Sequence, residues 1–103
     1  DTSVVVTRTT LEKQRPVLKR FLQGYIEAIA RVKRNPESAY RALSRYTGVT
    51  DRNVLEESRK FYADSFADIP RTEMNGWRNL IATLGKSESE MARFLDMSLL
   101  NEL

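Results

Sequence analysis

VLKRFLQGYIEAIARVKRNP, from Val17 to Pro36, is the most strongly periodic run in the chain, and the rest is read outward from it. With Leu18 set at zero on a wheel turning about 100° per residue, Phe21, Leu22, Tyr25, Ile29 and Val32 follow at offsets of three, four, seven, eleven and fourteen. They make one face of a helix, widened by Ile26 and Ala28, while Lys19, Arg20, Glu27, Arg31 and Arg34 fall opposite. Pro16 stands at the first helical position, where its missing N–H costs nothing. Asn35-Pro36 stops the run, because the residue before a proline is pushed out of the α region. A helix so built needs a large apolar partner.

Composition narrows the function classes. The 103 residues are 41% hydrophobic and 30% charged, which fits one globular domain or a piece of one. Cysteine and histidine are both absent, so disulfides, zinc sites of the usual ligand types and His- or Cys-based catalysis are excluded. No apolar run approaches the roughly 20 residues that span a bilayer. No basic-then-apolar leader precedes the chain, which opens on Asp1, as expected of a processed chain or one cut from a longer protein. The net charge of +3 is unevenly placed: eight basic and three acidic residues up to Arg34 give +5 there and −2 in the remainder. Such a basic first third attracts anions, nucleic acid or acidic membrane, but basic side chains on the polar face of a helix account for the pattern more simply.

Ahead of the long helix lies TSVVVTRTT, Thr2 to Thr10. Val4, Val5 and Val6 with flanking threonines predict a short strand, and an unbroken apolar run predicts burial on both faces, as in the middle of an α/β sheet. No second strand is apparent, and a lone buried strand leaves its backbone groups without partners. The segment therefore pairs with chain that is absent here, pairs with a neighbouring molecule, or is not a strand in this chain.

The remainder reads as helices. Thr9 or Thr10 caps a short turn over Leu11 to Gln14. After the long helix, Pro36 opens another, with Ala39, Ala42, Leu43 and Tyr46 on one face and Gly48 at its end. Thr50 or Asp51 caps a third, with Val54, Ser58, Phe61, Tyr62 and Ser65 in one stripe and Ile69-Pro70 as its break. Thr72 caps a fourth, bearing Met74, Trp77, Ile81 and Leu84 and closed by Gly85. Ser87 with Glu90 forms a capping box for a fifth, carrying Met91, Phe94 and Leu95, and Asp96 caps a last turn through Leu99 and Leu100. The fold class expected is mainly α, five or so helices plus one N-terminal strand.

Little of this carries chemistry. Glu56-Glu57 is the only adjacent pair of glutamates, but helix neighbours point about 100° apart and do not converge on a substrate. No nucleophile–base pair is visible, and the four glycines, Gly24, Gly48, Gly76 and Gly85, are too scattered to cradle a phosphate. No enzyme, cofactor or metal site is expected. Trp77 and the four tyrosines sit beside aliphatics at helical spacing, which makes them core residues more readily than stacking platforms. A rival reading takes Ala39 to Phe61 as a helix-turn-helix. There Arg52, Arg59 and Lys60 are cancelled by Asp51, Glu56 and Glu57, and only Asn53 suits a base edge, so nucleic acid is not the expected partner.

The order of features nevertheless resembles a family. VVVTR, then Glu12-Lys13 and Pro16 leading into VLKRFLQGYIEAIARVKRNPE, then FYADSFADIPRTEMNGW and finally FLDMSLLNEL, is similar to the C-terminal part of bacterial ABC-transporter solute-binding proteins of the nitrate/sulfonate/taurine type, a family that includes binders of the thiamine pyrimidine precursor. The resemblance runs from Val4 to Leu103, with Asn35-Pro36-Glu37, Ile69-Pro70 and the Phe94-Leu95-Asp96 ending as its most specific parts. It implies a C-terminal fragment of an α/β, two-lobed (type II) periplasmic binding protein. Residues 1–10 would be a strand returning to the first lobe, and residues 11–103 would be helices covering that lobe's sheet, a single segment incomplete without upstream chain. It also implies an exported, periplasmic setting, an ABC permease and the upstream lobes as partners, and a small anionic or organic ligand captured without chemistry. Arg8, at the expected strand end, is a conceivable anion contact, since guanidinium suits sulfonate or nitrate oxygens; an exposed strand-end arginine is the plainer alternative. Two other classes remain beside this one: the DNA-binding regulatory domain over Ala39 to Phe61, and a helical self-association domain pairing through Val4, Val5 and Val6.

Overall fold

Proline, asparagine and glycine positions punctuate the chain into helices. The computed structural model describes residues 4–72 and 74–103. Among them the order is α1 (Arg8–Lys13), α2 (Arg15–Arg34), α3 (Pro36–Thr47), α4 (Arg52–Ser65), α5 (Met74–Leu84), α6 (Glu88–Ala92) and α7 (Ser98–Asn101). The fold is mainly α, and no strand occurs among the described residues. The side chains of Met74 and Met91, and Thr2 and Ser3 of the expected strand, lie outside what is described.

Local chemistry sets each boundary. The Thr7 hydroxyl accepts from the Thr10 N–H at 3.1 Å and caps α1, two residues ahead of the expected Thr9. Thr7 holds the extended backbone that a cap requires, whereas Thr9 and Thr10 are already helical. α2 begins at Arg15, so Pro16 is its second residue rather than its first, still among the four N–H positions that a helix leaves unpaired. Asn35 alone joins α2 to α3; its side chain accepts from the Ser38 N–H at 3.1 Å, and Pro36 opens α3. Gly48 ends α3 at φ 75°, in the left-handed region. Asp51 caps α4 through the Asn53 and Val54 N–H groups. α4 stops at Ser65, short of the expected Ile69-Pro70 break, where Phe66 takes an extended backbone at φ −86° and ψ 127° and stacks on Tyr62 at 6.0 Å between centroids. After α5, Gly85 at φ 68° lets the Lys86 N–H reach the Ile81 carbonyl and its own N–H reach that of Ala82, the two bonds of a Schellman end. The Ser87 hydroxyl accepts from the Glu90 N–H at 3.2 Å, as the capping-box reading expects. α6 ends at Ala92, however, so Phe94 and Leu95 leave the helix. The Asp96 carboxylate accepts from the Ser98 N–H at 2.8 Å and leads the chain into α7.

The chain divides into two compact units, and α2 contributes to both. One comprises Asp1–Leu22 with Arg71–Leu103; the other is Gln23–Pro70. In the first, Ile81, Leu99 and Leu100 are buried. Three arginines tie its C-terminal segment down: Arg8 donates to the Arg93 carbonyl at 2.9 Å, Arg15 to the Ser98 hydroxyl at 3.2 Å, and Arg71 to the Asn101 side-chain oxygen at 2.9 Å. In the second, α3 packs closely on α4, and Ile29, Ala39 and Leu55 are buried.

Three expectations are corrected here. Val4, Val5 and Val6 form no strand and are exposed, Val5 at 83%. A strand needs a neighbour to share its ladder, and none is present among the described residues. Arg8 consequently opens α1 instead of ending a strand. Phe21, expected on the core face, is 53% exposed, because the covered side of α2 centres on buried Ile29 with Leu22 and Ile26 half-buried, and leaves Phe21 at its margin. Tyr46, Phe61 and Phe94 are likewise exposed, Tyr46 at 84%.

Leu55→Ala should cost about 2–5 kcal/mol, whereas Phe21→Ala should cost no more than about 2 kcal/mol, since half of its ring area is already in water. Urea unfolding of the two variants measures both, and equal losses would contradict the burial assigned to them.

Candidate functional site

The densest polar arrangement lies in the Gln23–Pro70 unit, where α3 and α4 face the C-terminal end of α2. Glu56 and Arg59 stand three apart on α4, on the same side of the helix. Arg59 grips Glu56 with two parallel bonds: Nε donates to Oε2 at 2.8 Å and Nη2 to Oε1 at 2.6 Å. Its Nη1 donates to the Val32 carbonyl at 3.2 Å. That carbonyl belongs to the last turn of α2, where carbonyls lack intrahelical partners. The Tyr40 hydroxyl, from α3, donates to Glu56 Oε2. One carboxylate and one guanidinium thus join three helices.

Electrostatics follow the geometry. The Arg59 guanidinium, and after it the Tyr40 hydroxyl, hold Glu56 down to about 2, well below the ordinary 4.5. Accepting from Tyr40 pushes that phenol up, and the carboxylate raises Arg59 in turn. The Arg59 side chain is 12% exposed, so its charge is held by these bonds rather than by water. Beside the knot, Arg52 pairs with Glu37 and lies over the Tyr40 ring, 4.9 Å from its centroid. The Glu37 carboxyl is lowered by Arg52. Lys33 pairs with Asp68 at 2.8 Å and lowers it.

Next to the knot an apolar trough of about 330 Å³ opens along Val32, Ala39, Ala42, Leu43, Tyr46, Thr47, Arg59, Tyr62 and Phe66. A smaller hollow of about 120 Å³ adjoins it through Val32 and Phe66 and reaches Tyr25, Ala28 and Ile29. The two are open, and their walls offer few polar atoms. The Thr47 hydroxyl is engaged with the Leu43 carbonyl at 2.6 Å and the Val49 N–H at 3.2 Å, and each nitrogen of Arg59 is engaged as above. The trough suits burial of apolar groups; it presents no acid–base or nucleophilic chemistry.

Each residue singled out from the sequence has a place. Arg8 is exposed, with a guanidinium nitrogen on the Arg93 carbonyl, and it lies near enough to Asp96 to act, with Arg15, on that carboxylate. Glu56 and Glu57 diverge as expected, Glu56 into the knot and Glu57 into solvent. Within Ala39 to Phe61, Arg52 and Arg59 are each taken by a carboxylate, and the Asn53 N–H belongs to the Asp51 cap. Trp77 is half-buried, with its indole N–H enclosed and without an acceptor among the described residues. No cluster of acidic residues among the described ones has metal-binding geometry. No described helix is long and apolar enough to cross a membrane. The part that sequence reasoning missed is the Tyr40–Glu56–Arg59 knot. Its signal was the Glu56–Arg59 spacing, which was read only as charge cancellation. No family model, curated protein or solved structure matches this chain.

Glu56 is depressed in the folded chain, so its contribution to stability is complete above the unfolded value near 4.5 and fades as pH falls towards about 2. Urea midpoints followed from pH 6 to pH 2, values chosen to bracket that window, should therefore fall, and Glu56→Gln should flatten the fall. An unchanged slope in the variant would show that Glu56 is not held by Arg59 in solution.

Proposed function

We propose that this chain is the C-terminal helical portion of an exported solute-binding protein of an ABC importer, of the nitrate/sulfonate/taurine type. The observation that carries the reading is the valine triplet. Val4, Val5 and Val6 have the composition of an interior strand, yet they are exposed and unpaired here. A segment of that kind is accounted for if its sheet lies in upstream chain. The thin cores agree: six hydrophobic residues are buried among those described, while Val17, Phe21, Leu84 and Phe94 are more than half exposed. So much apolar surface fits helices that clad something larger.

In this reading the protein captures and does no chemistry. A small anion or organic solute bridges two lobes and stabilises the closed state by its differential affinity for it. The closed form then docks on the permease in the periplasm. This segment supplies scaffold for the first lobe, and Arg8 is the residue retained as an anion contact, because its exposed guanidinium still has N–H groups to offer beyond the Arg93 carbonyl.

The natural polypeptide that carries this chain should bind one of nitrate, taurine, an alkanesulfonate or an aminopyrimidine saturably in a calorimetric titration. If the ligand is an anion, Arg8→Gln should weaken it about tenfold or more, the usual cost of one charged hydrogen bond. Absence of βα-alternating sequence upstream, or no binding by any of the four, would overturn the reading.

A further inference from the structure

We propose that the apolar trough of the Gln23–Pro70 unit is a docking groove for an amphipathic helix of another protein, one whose apolar stripe is flanked by acidic side chains. The proposal does not depend on the transport reading.

Shape comes first. The trough is concave because α3 packs closely on α4, while α2 is held to α4 near its C-terminal end by the Arg59–Val32 bond; Asn35 alone turns the chain from α2 into α3. Val32 forms one wall, Ala39, Leu43 and Tyr46 another, and Tyr62 and Phe66 the third. The adjoining hollow lengthens it along α2 past Ile29 to Tyr25. A flat sheet face cannot enter such a furrow, whereas the side-chain ridge of a helix can, as ridges fill grooves between packed helices. The small side chains of Ala28, Ala39 and Ala42 permit close approach.

Charge selects the flanks of the partner. From Ala28 to the end of α3 the chain carries Arg31, Lys33, Arg34, Arg41 and Arg45 against Glu37 alone. Glu37 is engaged by Arg52 and Lys33 by Asp68. Arg45 follows Ala42 by three residues on α3 and extends over the Tyr46 ring, 5.9 Å from its centroid. Arg31 follows Ala28 by three on α2, 65% exposed, with only a 3.6 Å pair to Glu27 within its own helix. Of the acidic groups on α4, Glu56 is taken by Arg59, and Glu57 and Asp64 are exposed and line neither hollow. The two walls built by α2 and α3 are therefore apolar within and cationic at the shoulders. Carboxylates flanking an apolar stripe complement both features.

The test uses the natural polypeptide carrying this chain and two synthetic helical peptides that share one leucine stripe, flanked either by glutamates or by lysines. Fluorescence anisotropy should show the glutamate peptide binding at least tenfold more tightly than the lysine peptide. The Arg31→Glu, Arg45→Glu double variant should reverse that preference with helicity by circular dichroism unchanged. If the double variant loses helicity, Arg31→Gln, Arg45→Gln replaces it and should abolish the preference. Failure of both peptides to bind, equal binding of the two, or binding to anionic lipid vesicles in place of the peptides would overturn the proposal. Solute binding by the same polypeptide would be unaffected by any of these outcomes.

Discussion

A single guanidinium ties α4 to the end of α2 in the Gln23–Pro70 unit. Arg59 uses its three nitrogens on two carboxylate oxygens and one helix-terminal carbonyl, and so fixes α4 both to its own Glu56 and to the end of α2. Tyr40 brings α3 to the same carboxylate. Between a charged pair and an open apolar wall there is little room for compromise. A bidentate, hydrogen-bonded pair is among the stronger polar contacts available, and here it stands where three helices meet with only Ile29, Ala39 and Leu55 buried around it. The knot takes the place that a larger hydrophobic core would occupy, and it leaves the apolar faces beside it free to receive something else.

The other unit is organised differently. There three arginines, Arg8, Arg15 and Arg71, reach to the C-terminal segment and hold it by bonds to a carbonyl, a hydroxyl and an amide oxygen. Each is an exposed or partly exposed contact, of the sort that contributes little alone. The apolar part of this unit is Ile81, Leu99 and Leu100, while Val4 to Val6, Val17, Leu84 and Phe94 face outward. Both units thus combine small cores with broad uncovered surface, which agrees with the reading as a portion of a larger sheet-containing protein.

Much of this was legible in the sequence, and what was not has a common cause. The helix limits set by backbone chemistry were readable: Asn35-Pro36, Gly48, Asp51, Gly85 and Ser87 act within a few residues of themselves, where sequence and structure share one scale. Side-chain burial was less readable, because it depends on what arrives from elsewhere. Leu22 and Phe21 sit next to each other on the apolar arc of α2, and periodicity does not say which of them meets a neighbour; Phe21 remains exposed. Val4 to Val6 failed for the same reason in stronger form, since a strand is a relation between two segments and only one is present among the described residues. Arg59 was discounted because counting charges discards direction, and its value lies in geometry: a fork that fits a carboxylate and still has a donor for Val32.

Asn35 is a mechanical joint. It is the whole connection between a helix of 20 residues and one of 12, with φ −127° and ψ 84°. Such a link has no slack. A longer link would loosen the start of α3 from the end of α2, and with it the trough walls at Val32 and Ala39 and the Tyr40 phenol that meets Glu56. The spacing between Val32 and Ala39 therefore acts together with two identities inside it, Asn35 that caps α3 and Pro36 that opens it.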